Sequence, residues 1–199
     1  TDKTVSNLGT LGEHNSSYAY SINNSGTIVG WSQNSSTDRE ACTFSADHAP
    51  DSFNYANSMA IAVNDAGTIV GRNDGEAYNF TTDKTFGGLG GNESMAIAIS
   101  NNPTPVIVGT AQDATGTNIA CIFNETGDAD ALCESESWAY AVNDNGQIVG
   151  RAKNEQGFYN ACIFDEDGDE TFFETLGGNY SIAFGNNNGG QIVGYAEIA

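Results

Sequence analysis

The chain has 199 residues, with 26 acidic against 6 basic side chains and a formal net charge of -20. Such a surface repels phosphate backbones and anionic headgroups, which argues against nucleic acid as a partner and against membrane binding. No run approaches the roughly 18 apolar residues that cross a bilayer, so membrane insertion is not expected. No basic stretch with an apolar run opens the chain; the chain is either cytosolic or begins after a cleaved signal, and the second is the expectation.

In chain order, Lys3 to Leu11 reads as a fourth strand that arrives before any first strand. A repeated unit then begins. The segments SYAYSIN, SMAIAVN, SMAIAIS, SWAYAVN and SIAFGNN start at Ser17, Ser58, Ser94, Ser137 and Ser181. Alanine stands two residues on in each, at Ala19, Ala60, Ala96, Ala139 and Ala183. Small and large residues alternate, which predicts a strand whose small face lets neighbouring units crowd together. Turns follow, NNSG at 23–26, NDAG at 64–67 and NDNG at 143–146, with a longer Asn101 to Pro105 variant in the third unit. Asn and Asp bond their own backbone in such turns and Gly supplies positive φ.

The second strand is the phrase IVG, which ends at Gly30, Gly71, Gly109, Gly150 and Gly194, in steps of 41, 38, 41 and 44 residues. A period near 40 residues through the whole chain marks tandem supersecondary units. Third strands follow as EACTF (40–44), EAYNF (76–80), IACIF (119–123) and NACIF (160–164). Fourth strands follow as DSFNY (51–55), KTFGGLG (84–90), DALCE (130–134) and ETFFETLG (170–177). The fold class expected is all-β: one five-bladed β-propeller over 1–199, of four-stranded antiparallel blades.

The composite LGxLGG, S-x-A-x-x-I-N, G-x-I-V-G and A-x-x-F resembles the HAF repeat of predicted extracellular repeat proteins of bacteria and archaea. Here it comprises Leu8, Gly9, Leu11, Gly12, Ser17, Ala19, Ile22, Asn23, Gly26, Ile28, Val29, Gly30, Ala41 and Phe44. The resemblance spans nearly the whole chain and implies secretion and a repeat fold, with no settled activity. The namesake histidine is absent: the copies read Glu40-Ala41-Cys42, Glu76-Ala77-Tyr78, Ile119-Ala120-Cys121 and Asn160-Ala161-Cys162.

The fifth unit reaches Ala199 just past its second strand. The expectation is that the N-terminal strand completes this last blade. Its missing third strand has three accounts: a longer or processed C-terminus, a bend of Val193 to Ala199 that fills both places, or an open edge that accepts a strand from another molecule. The candidate assembly edge comprises Lys3, Val5, Leu8, Leu11, Val193, Tyr195 and Ile198.

Chemistry-bearing residues are few. The two histidines, His14 and His48, sit beside turns, and no G-x-S-x-G, C-x-x-C or H-E-x-x-H occurs, so no catalytic residue is assigned and no enzyme is expected. Cys121 and Cys133 are symmetric about residue 127, which predicts a hairpin disulfide, while Cys42 and Cys162 read as small buried hydrophobes. Asp165, Asp167 and Asp169 alternate around Gly168, a pattern that suits calcium or an ordinary acidic turn; no other cofactor is expected. Asn-x-Ser/Thr acceptors occur at Asn15, Asn23, Asn34, Asn79, Asn92, Asn124 and Asn179, which are glycosylation candidates in a secreted chain. The aromatics Tyr18, Tyr20, Trp31, Trp138, Tyr140 and Tyr180 read mainly as core, with sugar stacking as the functional alternative. The leading functional expectation is a non-enzymatic extracellular structural protein whose partner is itself, joined through strand edges into a filament, surface layer or matrix. The alternative is a secreted lectin-like propeller that binds glycans.

Overall fold

The computed structural model describes residues 5–12, 16–33, 38–45, 48–165 and 168–199. Among them the protein is all-β, with five antiparallel sheets in chain order. The first sheet is β1 (Ser17–Ile22), β2 (Ile28–Gln33), β3 (Arg39–Phe44) and β4 (Asp51–Ala56). The second is β5 (Ser58–Val63), β6 (Ile69–Asn73), β7 (Glu76–Asn79) and β8 (Lys84–Thr85). The third is β9 (Gly90–Ile99), β10 (Ile107–Asp113), β11 (Asn118–Ile122) and β12 (Asp130–Ala131). The fourth is β13 (Ser137–Val142), β14 (Ile148–Lys153), β15 (Tyr159–Phe164) and β16 (Glu170–Phe172), and the fifth holds β17 (Gly177–Asn186) and β18 (Ile192–Ile198). No helix of the described residues is long and apolar enough to cross a membrane.

Each first strand carries a β-bulge. The register skips Tyr20, Ile61, Ile97, Tyr140 and Phe184. The predicted alternation therefore holds from Ser to Ala and then breaks, because the extra residue bends the strand and resets which face follows. At that bend the first strand presses on the second. A Cβ added to Gly30, Gly71, Gly109, Gly150 or Gly194 would lie 1.8–2.0 Å from the carbonyl oxygen of the residue after the unit's serine. The glycine of IVG is thus a close-approach position, which explains why it recurs when its neighbours vary.

The sheets join face to face. β5 lies against β1, β2 and β3, and β9, β13 and β17 lie likewise against the sheets before them. Four apolar clusters sit at these four joints. Val29 and Ala41 pack with Ala60, Val63 and Ile69; Val70 and Ala77 with Ala96 and Ile107; Val108 and Ala120 with Ala139 and Ile148; Val149 and Ala161 with Ala183. The IVG valine and the third-strand alanine of one unit thus meet the first-strand alanine of the next.

Among the described residues, no N-terminal strand completes the last sheet, contrary to expectation. Residues 5–10 hold no strand, and the fifth sheet has two strands. The segment is tied to the first sheet: the Leu11 N–H donates to Ser32 Oγ (2.8 Å) and the Ser17 hydroxyl to Gly9 O (2.9 Å). The reason lies in the repeat. The leucine of the Leu-Gly lead-in belongs to the unit that follows it, as Leu89 and Leu176 show by bridging to Asp113 and Ile198 at the ends of their own second strands.

Gly150→Ala places a methyl group against the Trp138 carbonyl and is expected to cost on the order of 1–3 kcal/mol, the range for forced overpacking. Gly88→Ala, with open space around its Cβ, is the control and should move the urea midpoint little.

Candidate functional site

The joints are held by polar bonds as well as packing. The recurrent serine accepts a hydrogen bond from the third-strand alanine N–H of the preceding unit. Ala41 donates to Ser58 (2.8 Å), Ala77 to Ser94 (2.8 Å), Ala120 to Ser137 (2.8 Å) and Ala161 to Ser181 (2.9 Å). All four serines are buried. The Ser58 hydroxyl in turn donates to Tyr55 O (2.5 Å) and that of Ser137 to Ser135 O (2.8 Å), so each oxygen both gives and receives.

A second set of bonds runs through the turns. Asn23, Asn64, Asn143 and Asn187 each close their own turn by accepting the N–H four residues on. Asn23, Asn64 and Asn143 also donate Nδ2–H to the next unit, to Asn64 O (3.0 Å), Ser100 O (3.2 Å) and Asn187 O (2.9 Å). One residue further along, backbone N–H groups donate to side-chain oxygens in one direction only. Asn24 donates to Asp65 (2.9 Å), Asp65 to Asn101 (2.8 Å), Asn101 to Asp144 (2.8 Å) and Asp144 to Asn188 (2.9 Å). The Asn101 N–H, and then the Asn188 amide, hold the Asp144 carboxyl below the usual carboxylate range.

The two ends of the array are left with unmatched halves of this joint. Ala19 is exposed, whereas Ala60, Ala96 and Ala139 are fully buried. Val193 is 67% exposed, whereas Val29, Val70, Val108 and Val149 are fully buried. Of the predicted assembly edge, Val193, Tyr195 and Ile198 lie exposed on β18, and Val5 is exposed too. Leu8 and Leu11 are half-buried beside the first sheet, and Lys3 lies outside the described residues. The structure therefore sets Leu8 and Leu11 beside the first sheet and Val193, Tyr195 and Ile198 on the fifth.

The aromatic residues gather around arginine. The Arg151 guanidinium stands over Trp138 (4.3 Å), Tyr159 (5.0 Å), Tyr180 (5.7 Å) and Tyr140 (5.9 Å), and its Nη1 donates to the Tyr180 hydroxyl. Among the described residues its buried Nε has no hydrogen-bond partner, and the ring faces offset part of the cost of burying the charge. Glu136, beside this cluster, is held below the usual carboxylate range by the Tyr159 hydroxyl and by Lys153. Arg39 covers Trp31 in the same way (4.7 Å). An open cleft of about 610 Å³ lies next to it, lined by Arg39, Met59, Arg72, Asp74, Asn92 and Glu93.

The predicted Cys121–Cys133 disulfide is absent; all four cysteines are free and buried. The register pairs Cys121 with Ala131 and Ile122 with Asp130, so the hairpin centres one residue earlier than the symmetry argument assumed. Cys121 packs toward the second sheet and Cys133 toward the fourth, where its Sγ meets Ser137 Oγ at 3.0 Å. Burial, and then Glu40, push the Cys42 thiol up to about 12, which leaves it unreactive.

Asp167 lies outside the described residues. Asp165 accepts the Asp169 N–H (3.1 Å), the same turn closure that Asn23 and Asn64 make, and no metal-binding group is found among the described residues. Asn15 and Asn34 also lie outside them, as does His14. Asn23 and Asn79 are buried and their amides donate to Asn64 O and Glu125 Oε1. Neither can carry a glycan in the folded chain. Asn124 is half-buried and bonded to Asp128 and Asp130, and Asn92 and Asn179 are exposed. His48 is exposed and bonds the Ala49 carbonyl (2.8 Å).

Compared with known proteins, the chain matches no family model, no curated protein and no solved structure.

Ser58→Ala leaves the buried Ala41 N–H without an acceptor and should lower stability by about 1–3 kcal/mol. Ser17→Ala, which serves no joint, should lower it by less; chemical denaturation compares them. Asp144 titrates below its unfolded value of about 3.9. Its contribution is therefore complete above that pH and is lost as pH falls through the lower folded value. Thermal melts should show the wild type losing stability relative to Asp144→Asn as pH drops below about 4, with a constant difference above it.

Proposed function

We propose that the protein is a non-enzymatic, extracellular structural protein that assembles with copies of itself, its sheets serving as the blades of a propeller-like radial array. The observation that carries this reading is the state of β18. It is a seven-residue strand that, among the described residues, is paired on one side only, and it exposes Val193, Tyr195 and Ile198. A long apolar edge strand of this kind templates association. The resemblance to the HAF repeat supports secretion, and the exposed acceptors Asn92 and Asn179 suit a glycosylated surface. The charge of -20 keeps single copies dispersed, and no nucleic-acid or membrane partner fits it. Neither the joints nor the turns call for a cofactor; calcium at Asp165 and Asp169 remains the one metal the sequence offers.

A lectin-like role is the second reading. The cleft beside Arg39 and Arg72 favours it, since arginine, amide and carboxylate groups together match sugar hydroxyls. The faces of Trp31 and Trp138 are already covered by guanidinium groups, which weakens it.

Sedimentation velocity over a range of protein concentrations tests the first reading. Association should strengthen toward about 1 M salt, where the Debye length falls to ~3 Å, and toward the isoelectric point near 4.1. A strict monomer in every condition, with a glycan-array hit lost on Arg72→Ala, would replace it with the second.

A further inference from the structure

We infer that copies join head to tail through their sheet faces: the first-sheet face of one copy seats on the fifth-sheet face of another, in the register that joins successive sheets within one chain. This rests on the reading of the protein as self-assembling and names the surface and partner involved.

The described residues form the same joint four times and expose one further copy of each of its halves. Within the molecule, Val29, Val70, Val108 and Val149 are covered by the next unit, and Ala60, Ala96, Ala139 and Ala183 by the one before. Val193 and Ala19 are the remaining members of those two series, and both are exposed. Ile22, the counterpart of Val63, is 64% exposed against 7%. A surface that covers Val193 as its counterparts are covered must present a bulged strand with alanine at this position. The first sheet of this chain is such a surface.

The turn ladder gives the same answer independently. Each step sends a backbone N–H forward to a side-chain oxygen of the following unit. At the fifth unit the Asn188 N–H is the next donor. At the first unit Asn24 spends its N–H and its Nδ2 on Asp65 (2.9 and 2.7 Å), which leaves Oδ1 as the next acceptor. Both residues are exposed, and neither atom has a partner among the described residues. One end is a donor, the other an acceptor, and the spacing to the adjacent apolar patch is set by the same repeat. Two copies therefore complement each other without rearrangement.

A second copy supplies the occupant: its first sheet carries the bulged strand, the exposed Ala19 and Ile22 and the Asn24 Oδ1 acceptor that match the fifth-sheet face. The contact is heterologous, so it continues from copy to copy. It is also weaker than an internal joint. Among the described residues the fifth sheet has two strands, so it offers Ser17 no alanine N–H, and Ser17 keeps its bond to Gly9 O. Packing and one ladder step remain, which suits reversible assembly.

Two single-cysteine additions test this in the full chain: Ala19→Cys and Val193→Cys. Both sites are exposed, so folding is not at risk, and the four native thiols are buried. Under mild copper–phenanthroline oxidation, an equal mixture of the two variants should give a disulfide-linked dimer containing one of each, with little dimer from either alone. Ile22→Glu added to the first variant should cut the yield at least tenfold. Equal dimer from each variant alone, or no dimer in the mixture, overturns the inference. So does a double variant that cross-links only within one molecule, since the faces then close on each other. If sedimentation shows polymers while the mixture gives no cross-link, assembly stands and uses another surface. If both fail, self-assembly falls as well.

Discussion

The structure depends on one close approach. In every unit the first strand lies so near the second that the IVG glycine has no room for a Cβ, because a carbonyl of the bulged strand occupies that space. The bulge bends the first strand so that its alanine and serine point at the preceding sheet. Small side chains there let the sheets meet closely, with the IVG valine and third-strand alanine against the next unit's alanine, and the serine reaches an N–H that the short or irregular fourth strand leaves unpaired. Close approach within the unit and close packing between units are therefore one arrangement, and the repeat preserves them together.

Much of this was legible in the sequence. Strands one to three fall where the repeat placed them, because burial on both faces demands β-branched and small residues at fixed offsets. Fourth strands were less legible. KTFGGLG shrinks to Lys84–Thr85 and DALCE to Asp130–Ala131, since glycine and irregular lead-ins follow. The bulge left no composition signal; Tyr20, Ile61, Ile97, Tyr140 and Phe184 look like ordinary large strand residues. The recurrence of Ser and Asn was visible, but its meaning was not. Both types are common in turns, and only the fold shows that their polar atoms cross from unit to unit. The disulfide reading failed because a one-residue shift in a hairpin centre moves every facing pair, as β-register always does.

The repeated polar atoms are spent on one another, and the thiols are buried and held protonated. Around Arg151, four aromatic rings stand 4.3–5.9 Å from one guanidinium. Exposed apolar side chains stand on the first and fifth sheets, Ile22 and Val193 among them, and on the fourth at Phe172.

Four separate apolar clusters, one per joint, stand where many proteins of this size have a single core. Each cluster draws only on adjacent units, so stability is close to a sum of nearest-neighbour terms. Removing or duplicating one whole unit of about 40 residues would leave every remaining joint with both of its halves. The number of units is then a free variable in the history of such a chain, changeable by a single recombination event without redesign of any interface.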